Sequence, residues 1–95
     1  MLHHTVMYKL KQPVSENAVQ LKKRFLEMPV IIDEIKEIKV GIDEFKTDRS
    51  FDVCLYIKLD SKEDYDNYKN NPFHLSVADF VKSICERAVA VDYTD

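Results

Sequence analysis

The chain has 95 residues and a formal net charge of −3, with 45% hydrophobic and 33% charged residues. This length allows one small domain, residues 1–95, because a second domain would have no core of its own. The composition is that of a folded globular chain, the acidic balance gives nucleic-acid binding no electrostatic support, and no apolar run reaches the about 20 residues of a membrane-spanning helix.

Alternation and helical spacing predict a strand, a helix and a second strand in the first half of the chain. Residues 2–11 alternate with the period of a strand, and His4 shares a face with Leu2, Val6, Tyr8 and Leu10. Ser15 is predicted to cap a helix that ends at Pro29, and its apolar stripe consists of Ala18, Leu21, Phe25 and Met28. The second strand is predicted over residues 35–42, and a polar loop follows over residues 43–50.

The second half of the chain predicts a strand, two helices and a last strand. Residues 51–59 alternate most clearly. Asp60 or Ser61 is predicted to begin a short helix, and Asn71 begins the next one, because Pro72 then takes the favoured first position. That third helix is predicted to bury Phe73, Val77, Phe80 and Ile84. The last strand is predicted over residues 87–93, with Val89, Val91 and Tyr93 on one face and Ala88 and Ala90 on the other.

This order of elements predicts an α+β, ferredoxin-like fold, in which a four-stranded antiparallel sheet carries its helices on one face. The opposite face is left bare, and we expect it to carry Thr5, Met7, Cys54, Tyr56, Ala88 and Ala90. Such a surface is too apolar to face water, and a chain of this size gains stability from a partner. We therefore expect a homodimer closed through the bare face, in a dimeric α+β barrel.

Two cysteines are too few for a disulfide framework, which favours a cytoplasmic protein. Cys54 on the bare face and Cys85 near the end of the third helix are interpreted as packing residues, because neither has a neighbouring base or a CxxC context. The three histidines have no acidic partner at a ligand-like spacing. We expect no metal and no other cofactor.

His4 and His74 are the candidates for chemistry. His4 faces the predicted core, and His74 stands in the first turn of the third helix with apolar residues on its side, so the two can converge between sheet and helices. Imidazole suits proton transfer near neutral pH, and Tyr65 and Tyr68 could donate phenol hydrogen bonds to a carbonyl. The alternative is structural, because a buried histidine often satisfies a local partner and a buried tyrosine is often a core aromatic. His3 is expected to be exposed and uninvolved.

Three stretches are similar to the stress-responsive A/B barrel (Dabb) family: His-Thr-Val-Met-Tyr-Lys-Leu-Lys at 4–11, Asn-Pro-Phe-His-Leu at 71–75 and Ala-Val-Asp-Tyr at 90–93. The resemblance covers essentially the whole chain and implies a homodimeric ferredoxin-like barrel. Most members of the family are uncharacterised, and one plant branch is a polyketide cyclase that closes a linear tetraketide by aldol condensation without a cofactor. By motif position, His4, His74 and Tyr68 match residues that line the cavity of that branch. Leu26, or a neighbour, stands where the branch has a further tyrosine.

Two functions follow as expectations. The first is a homodimeric A/B barrel domain of undetermined biochemical role that binds a small hydrophobic ligand between sheet and helices. The alternative is a cofactor-independent enzyme, polyketide-cyclase-like or small aromatic monooxygenase-like, in which His4 and His74 transfer protons beside Tyr68. A cavity shared by these three side chains would favour the enzyme, whereas a space filled by side chains such as Phe25 and Phe80 would favour the non-catalytic domain.

Overall fold

The structure, a computed structural model, describes residues 1–95 and contains four strands and three helices. The strands are β1 (Leu2–Leu10), β2 (Glu37–Ile42), β3 (Val53–Leu59) and β4 (Cys85–Thr94), and the helices are α1 (Val14–Ile31), α2 (Lys62–Asn70) and α3 (Pro72–Ile84). The strands form one sheet in the order β2-β3-β1-β4, and all neighbours are antiparallel. The predicted ferredoxin-like α+β fold is confirmed. None of the helices has the length and apolar character that crossing a membrane requires.

The core lies between the helices and one face of the two central strands. Alternate residues of β1 and β3 are buried, as their sequence alternation predicts. The predicted stripe of α1 is also confirmed, because Ala18, Leu21, Phe25 and Met28 are its buried residues. From α3, Val77 and Ile84 are buried, while Phe73 and Phe80 are half-buried against the same core. These contacts hold α1 and α3 by their apolar faces rather than by helix propensity alone.

α1 differs from the prediction at both ends. It begins at Val14, and Pro13 rather than Ser15 takes the cap position, where its carbonyl accepts a hydrogen bond from the Asn17 N–H at 3.0 Å. Pro29 lies inside the helix, which continues to Ile31. A proline this close to the helix end removes only one backbone hydrogen bond. The next turn is closed by the Ile32 N–H, which donates to the Met28 carbonyl at 2.7 Å.

The other boundaries follow the predicted caps more closely. The Ser61 hydroxyl accepts from the Asp64 N–H at 3.2 Å, and Asn71 Oδ1 accepts from the Phe73 N–H at 2.8 Å. β2 and β3 each begin two residues later than predicted, at Glu37 and Val53. α3 passes into β4 without a loop, so Cys85, predicted near the helix end, is the first residue of the strand.

β4 presents its two faces opposite to the prediction. The register places Ala88 beside Tyr8 and Ala90 beside Val6, on the helix side, because directly opposed residues of an antiparallel pair project to the same side. The face without helices, called the bare face below, has an uncharged part and a charged part. The uncharged part is formed by His3, Thr5, Met7, Gly41, Cys54, Tyr56, Val89, Val91 and Tyr93, and the charged part by Lys9, Glu37, Lys39, Lys58 and Arg87. The assignment of Ala88 and Ala90 to it was wrong. β4 is an edge strand with exposed residues on both sides, so its alternation does not report burial.

Candidate active site

His4 is the one polar side chain buried in the core, with 6% exposure. Asp92 stands directly opposite it on β4, and His4 Nδ1 is hydrogen-bonded to Asp92 Oδ1. A carboxylate can only accept, so Nδ1 carries the proton and, in the neutral ring, Nε2 is the basic nitrogen. The register of β1 and β4 therefore fixes both the orientation and the tautomer of this imidazole.

Two tyrosines of α2 surround the His4 ring. Tyr65 and Tyr68 meet it edge-on, with ring centroids 5.3 Å and 6.1 Å from that of His4. Tyr68 also contacts His74 of α3, with a centroid separation of 4.5 Å. His4, Tyr65, Tyr68 and His74 are called the aromatic cluster below. Within it, the two histidines are joined through the Tyr68 ring.

His74 is half-buried near the start of α3. Its Nδ1–H donates to the Lys69 carbonyl at 3.1 Å. Burial lowers the pKa of His74, the Lys69 ammonium and His4 lower it further, and the hydrogen bond to the Lys69 carbonyl opposes them. The balance favours a neutral ring, whose Nε2 can accept a proton.

The tyrosines of the cluster are held as neutral phenols. Burial raises the pKa of Tyr68 far above its ordinary value. Burial also raises the pKa of Tyr65, and the carboxylates of Asp92 and Asp66 raise it further. A neutral phenol can donate a hydrogen bond to a carbonyl oxygen or to an enolate.

Two polar atoms of the cluster have no hydrogen-bond partner within the protein. No fully buried polar side-chain atom in the protein lacks a hydrogen-bond partner. His4 Nε2 and the Tyr68 hydroxyl have no partner within the protein, so each retains contact with solvent. The residues that carry them are nearly buried, with His4 at 6% and Tyr68 at 1% exposure.

An open depression of about 500 Å³ lies at the sheet end next to this cluster, lined by Leu2, Lys62, Tyr65, Asp66, Asp92, Tyr93 and Thr94. It reaches the cluster at Tyr65 and is also lined by Asp92, the partner of His4, whereas His4, Tyr68 and His74 do not line it. Farther along the sheet, side chains fill the interior, which is the arrangement expected for the non-catalytic domain. Phe25 packs against Tyr8 at 5.4 Å between ring centroids, and Phe80 lies under the Arg24 guanidinium at 4.9 Å.

The structure brings the sequence-predicted residues together in part. Tyr68 contacts both His4 and His74, but the two imidazoles do not contact each other. Asp92 was missed because the inverted faces of β4 would have placed it on the bare face, away from His4. The pairing of Asp92 with His4 follows from the β1–β4 register, and the spacing of residues within β4 does not reveal that register. No group of three or more His, Cys, Asp or Glu side chains is arranged to hold a metal ion.

A four-stranded sheet with helices on one face and an inward His–Asp pair defines a ferredoxin-like α+β protein with a titratable site on the helix side. The family model for the stress-responsive A/B barrel domain (Dabb) matches residues 2–95. The chain belongs to this family. No curated protein matches the sequence significantly.

Three solved structures show what else uses this fold. A dimeric ferredoxin-like protein of unknown function from Bacteroides fragilis is 25% identical, with 99% of this chain and 95% of that chain covered and a TM-score of 0.81. A hydroxynitrile lyase from Passiflora edulis is 26% identical, with 97% and 90% covered and a TM-score of 0.84. An antibiotic biosynthesis monooxygenase is 8% identical, with 100% and 98% covered and a TM-score of 0.80. One fold thus accompanies different chemistries, and function has to be argued from the site.

Proposed function

We propose that the protein is a homodimer that binds a small hydrophobic carbonyl compound beside the aromatic cluster and transfers a proton through His4. The observation that supports this most is the His4–Asp92 pair, buried on the histidine side and adjacent to the open depression. A structural histidine would also need a partner. The proton-transfer role is supported because this partner is a carboxylate, which fixes the tautomer and leaves Nε2 without a hydrogen bond in the protein.

The proposed step is removal of a proton from the carbon next to the carbonyl group. The C–H bond breaks as His4 Nε2 takes the proton, and the electron pair passes to the carbonyl oxygen as an enolate. Asp92 stabilises the imidazolium that forms, and the neutral Tyr68 phenol donates to the enolate oxygen. The enolate then takes a proton back or attacks a second carbonyl group of the same molecule.

We assign the second proton transfer to His74. Its lowered pKa favours the neutral ring, and its ring centroid lies 4.5 Å from that of Tyr68. The lyase from Passiflora edulis supports proton chemistry on this scaffold, because a lyase that acts on a hydroxynitrile must move the hydroxyl proton. The monooxygenase supports only the fold.

Exposed apolar side chains on the bare face support the homodimer. Met7, Val91 and Tyr93 are 42%, 62% and 50% exposed there, and together they form an apolar surface on one side of a single sheet. The relative from Bacteroides fragilis is dimeric. A stable pair would bury more than about 1,200 Å² in total. Sedimentation equilibrium at low micromolar concentration should give a mass near twice 11.2 kDa, and the mass of a single chain would contradict the proposal.

Ligand binding can be tested through the three histidine rings. In an NMR titration with acetophenone, a planar aromatic ketone, we expect the ring signals of His4 and His74 to shift and those of His3 to stay. His74→Ala should remove the response of His4 while the sedimentation mass stays unchanged. If no ring responds, or if His74→Ala unfolds the protein, the histidines have a structural role.

Proton transfer itself can be measured by following the methyl protons of acetophenone in D₂O. The protein should accelerate their exchange for deuterium, and His4→Gln should slow this exchange by about 10²–10⁴-fold, the usual contribution of a general base. The control is Lys23→Ala, exposed on α1 and away from both the cluster and the bare face, which should retain the rate. Equal rates for both variants would exclude His4 as the base.

A further inference from the structure

Two adjacent residue pairs of β1 and β4 project to opposite sides of the sheet. His4 pairs with Asp92 on the helix side, and His3 pairs with Tyr93 on the bare face. The His3 ring stacks on Tyr93 at 4.9 Å and on Tyr56 at 5.9 Å between centroids, and His3 Nδ1 is hydrogen-bonded to the Tyr56 hydroxyl at 2.6 Å. The candidate site and the centre of the bare-face aromatic stack are therefore neighbours along the same backbone.

The strand that carries Asp92 has support on one edge only. β4 pairs with β1 and with no other strand, and residues 90–94 are all exposed. The Asp92 side chain is 41% exposed, whereas that of its partner His4 is 8% exposed. An ion pair or hydrogen bond with one exposed partner is weakened by water and by the mobility of that partner. The position of the carboxylate thus depends on how firmly the end of β4 is held.

The depression beside the cluster also reaches the bare face. Tyr65 and Asp92 line it from the helix side, and Tyr93, which belongs to the bare face, lines it at the edge of the sheet. Any molecule that covers Tyr93 on the bare face would border the mouth of the depression and reduce the access of water to Asp92.

We infer that a second copy of the chain completes the site. Seated on the bare face, it packs on Val91 and Tyr93, holds the end of β4 so that Asp92 stays on His4, and forms the wall of the depression next to Tyr93. This inference rests on the homodimer of the proposed function. The occupant is a second copy because the part of the bare face next to β4 exposes the uncharged side chains Met7, Val91 and Tyr93, while charged residues such as Lys39 and Lys58 lie toward β2. The related protein from Bacteroides fragilis is also dimeric.

The test compares Val91→Glu on the bare face with Val19→Glu on α1, because the two valines are 62% and 52% exposed. Sedimentation gives the mass, and ¹H–¹⁵N NMR of the His4 ring without ligand gives the Nδ1–H signal of the pair with Asp92. We expect Val91→Glu to have the mass of one chain and to lose the slowly exchanging Nδ1–H signal. Val19→Glu should keep both the dimer mass and the signal.

Dilution of the unmodified protein through its dissociation range provides the same comparison without a substitution, and it decides the question if Val91→Glu does not fold. Loss of the Nδ1–H signal in step with the dimer supports the inference. A single chain that retains the signal overturns it. Because this readout needs neither ligand nor turnover, a protein that exchanges no acetophenone protons but couples the signal to the dimer would refute only the proposed chemistry.

Discussion

His3 and His4 are adjacent in sequence and occupy opposite faces of the same strand. Each uses Nδ1 for a hydrogen bond, His3 with the Tyr56 phenol and His4 with the Asp92 carboxylate. A phenol can donate or accept, so it leaves the tautomer of His3 free, whereas a carboxylate only accepts and fixes that of His4. The comparison shows that the hydrogen-bond partner of Nδ1, rather than the burial of the ring, determines whether Nε2 of a histidine is held as the basic nitrogen.

The two faces also differ in how they exclude water. On the helix side, Leu21, Met28 and Ile57 are fully buried, so the sheet is sealed by the chain itself. On the bare face, Met7, Val91 and Tyr93 stay between 42% and 62% exposed. The first face stabilises the folded chain, and the second can gain stability only from association.

The largest expected effect is on the helix side. Phe25→Ala should lower the free energy of unfolding by about 3–5 kcal/mol, because it removes a buried aromatic ring and leaves a cavity against Tyr8. The control Lys23→Ala, exposed on the same helix, should change it by less than about 0.5 kcal/mol. Urea unfolding at one protein concentration gives both values, and coincident transitions would contradict the assigned face of α1.

On the bare face, Met7→Lys should weaken the dimer and lower stability with it, because folding and association are linked. An ammonium at this position would be buried without a partner in the interface, so we expect roughly 100-fold weaker association, or about 2.7 kcal/mol. The measurement is the dissociation constant from sedimentation. Lys23→Ala again serves as the control, and an unchanged constant would show that Met7 lies outside the interface.

The two histidines themselves provide the third comparison. His4→Gln should lower the free energy of unfolding by about 1–3 kcal/mol, because a buried ring that bonds to a carboxylate is replaced by an amide of different shape. His3→Gln should cost less, since His3 bonds to the neutral Tyr56 phenol rather than to a carboxylate. Urea unfolding at matched concentration checks both, and a larger cost at His3 would reverse the proposed difference between the faces.

The sequence predicts the inward faces of the central strands β1 and β3 but not those of the edge strand β4, and burial explains why. β1 and β3 each have one fully covered face, so their alternation reports directly which side is inward. β4 has water on much of both sides, and its valines lie on the bare face while its alanines face the helix side. Hydrophobic alternation therefore identified a strand there but assigned its faces the wrong way round.

The same contrast explains what could be anticipated of the site. The inward side of His4 follows from β1, and the position of His74 follows from the Asn71 cap. The contact of Asp92 with His4 depends on the register between β1 and β4. The two residues are 88 positions apart in the sequence, so no local pattern encodes this register. The Tyr68 ring between the two histidines depends on how α2 packs against α3, which helical spacing does not specify.

The smallest expected effect concerns His74 and the dependence of stability on pH. Burial, with Lys69 and His4, lowers the pKa of His74 in the folded protein relative to the unfolded chain. The unfolded chain then binds the proton more readily, so this residue's contribution to stability should decrease as the pH falls below its unfolded pKa of about 6.5. Above that pH both states hold a neutral ring, and the contribution should be constant.

His74→Gln isolates this contribution, because the carboxylates that also respond to acid are common to both proteins. We expect the free energy of unfolding of the unmodified protein, minus that of His74→Gln, to be level between pH 8 and 7 and to decrease toward pH 5. Urea unfolding across this range measures the difference. His3→Gln is the control for a histidine on the bare face, with its own partners. A difference that grows toward pH 5 would mean that the folded protein stabilises the charged ring of His74, and the assignment of a neutral base at the start of α3 would then be wrong.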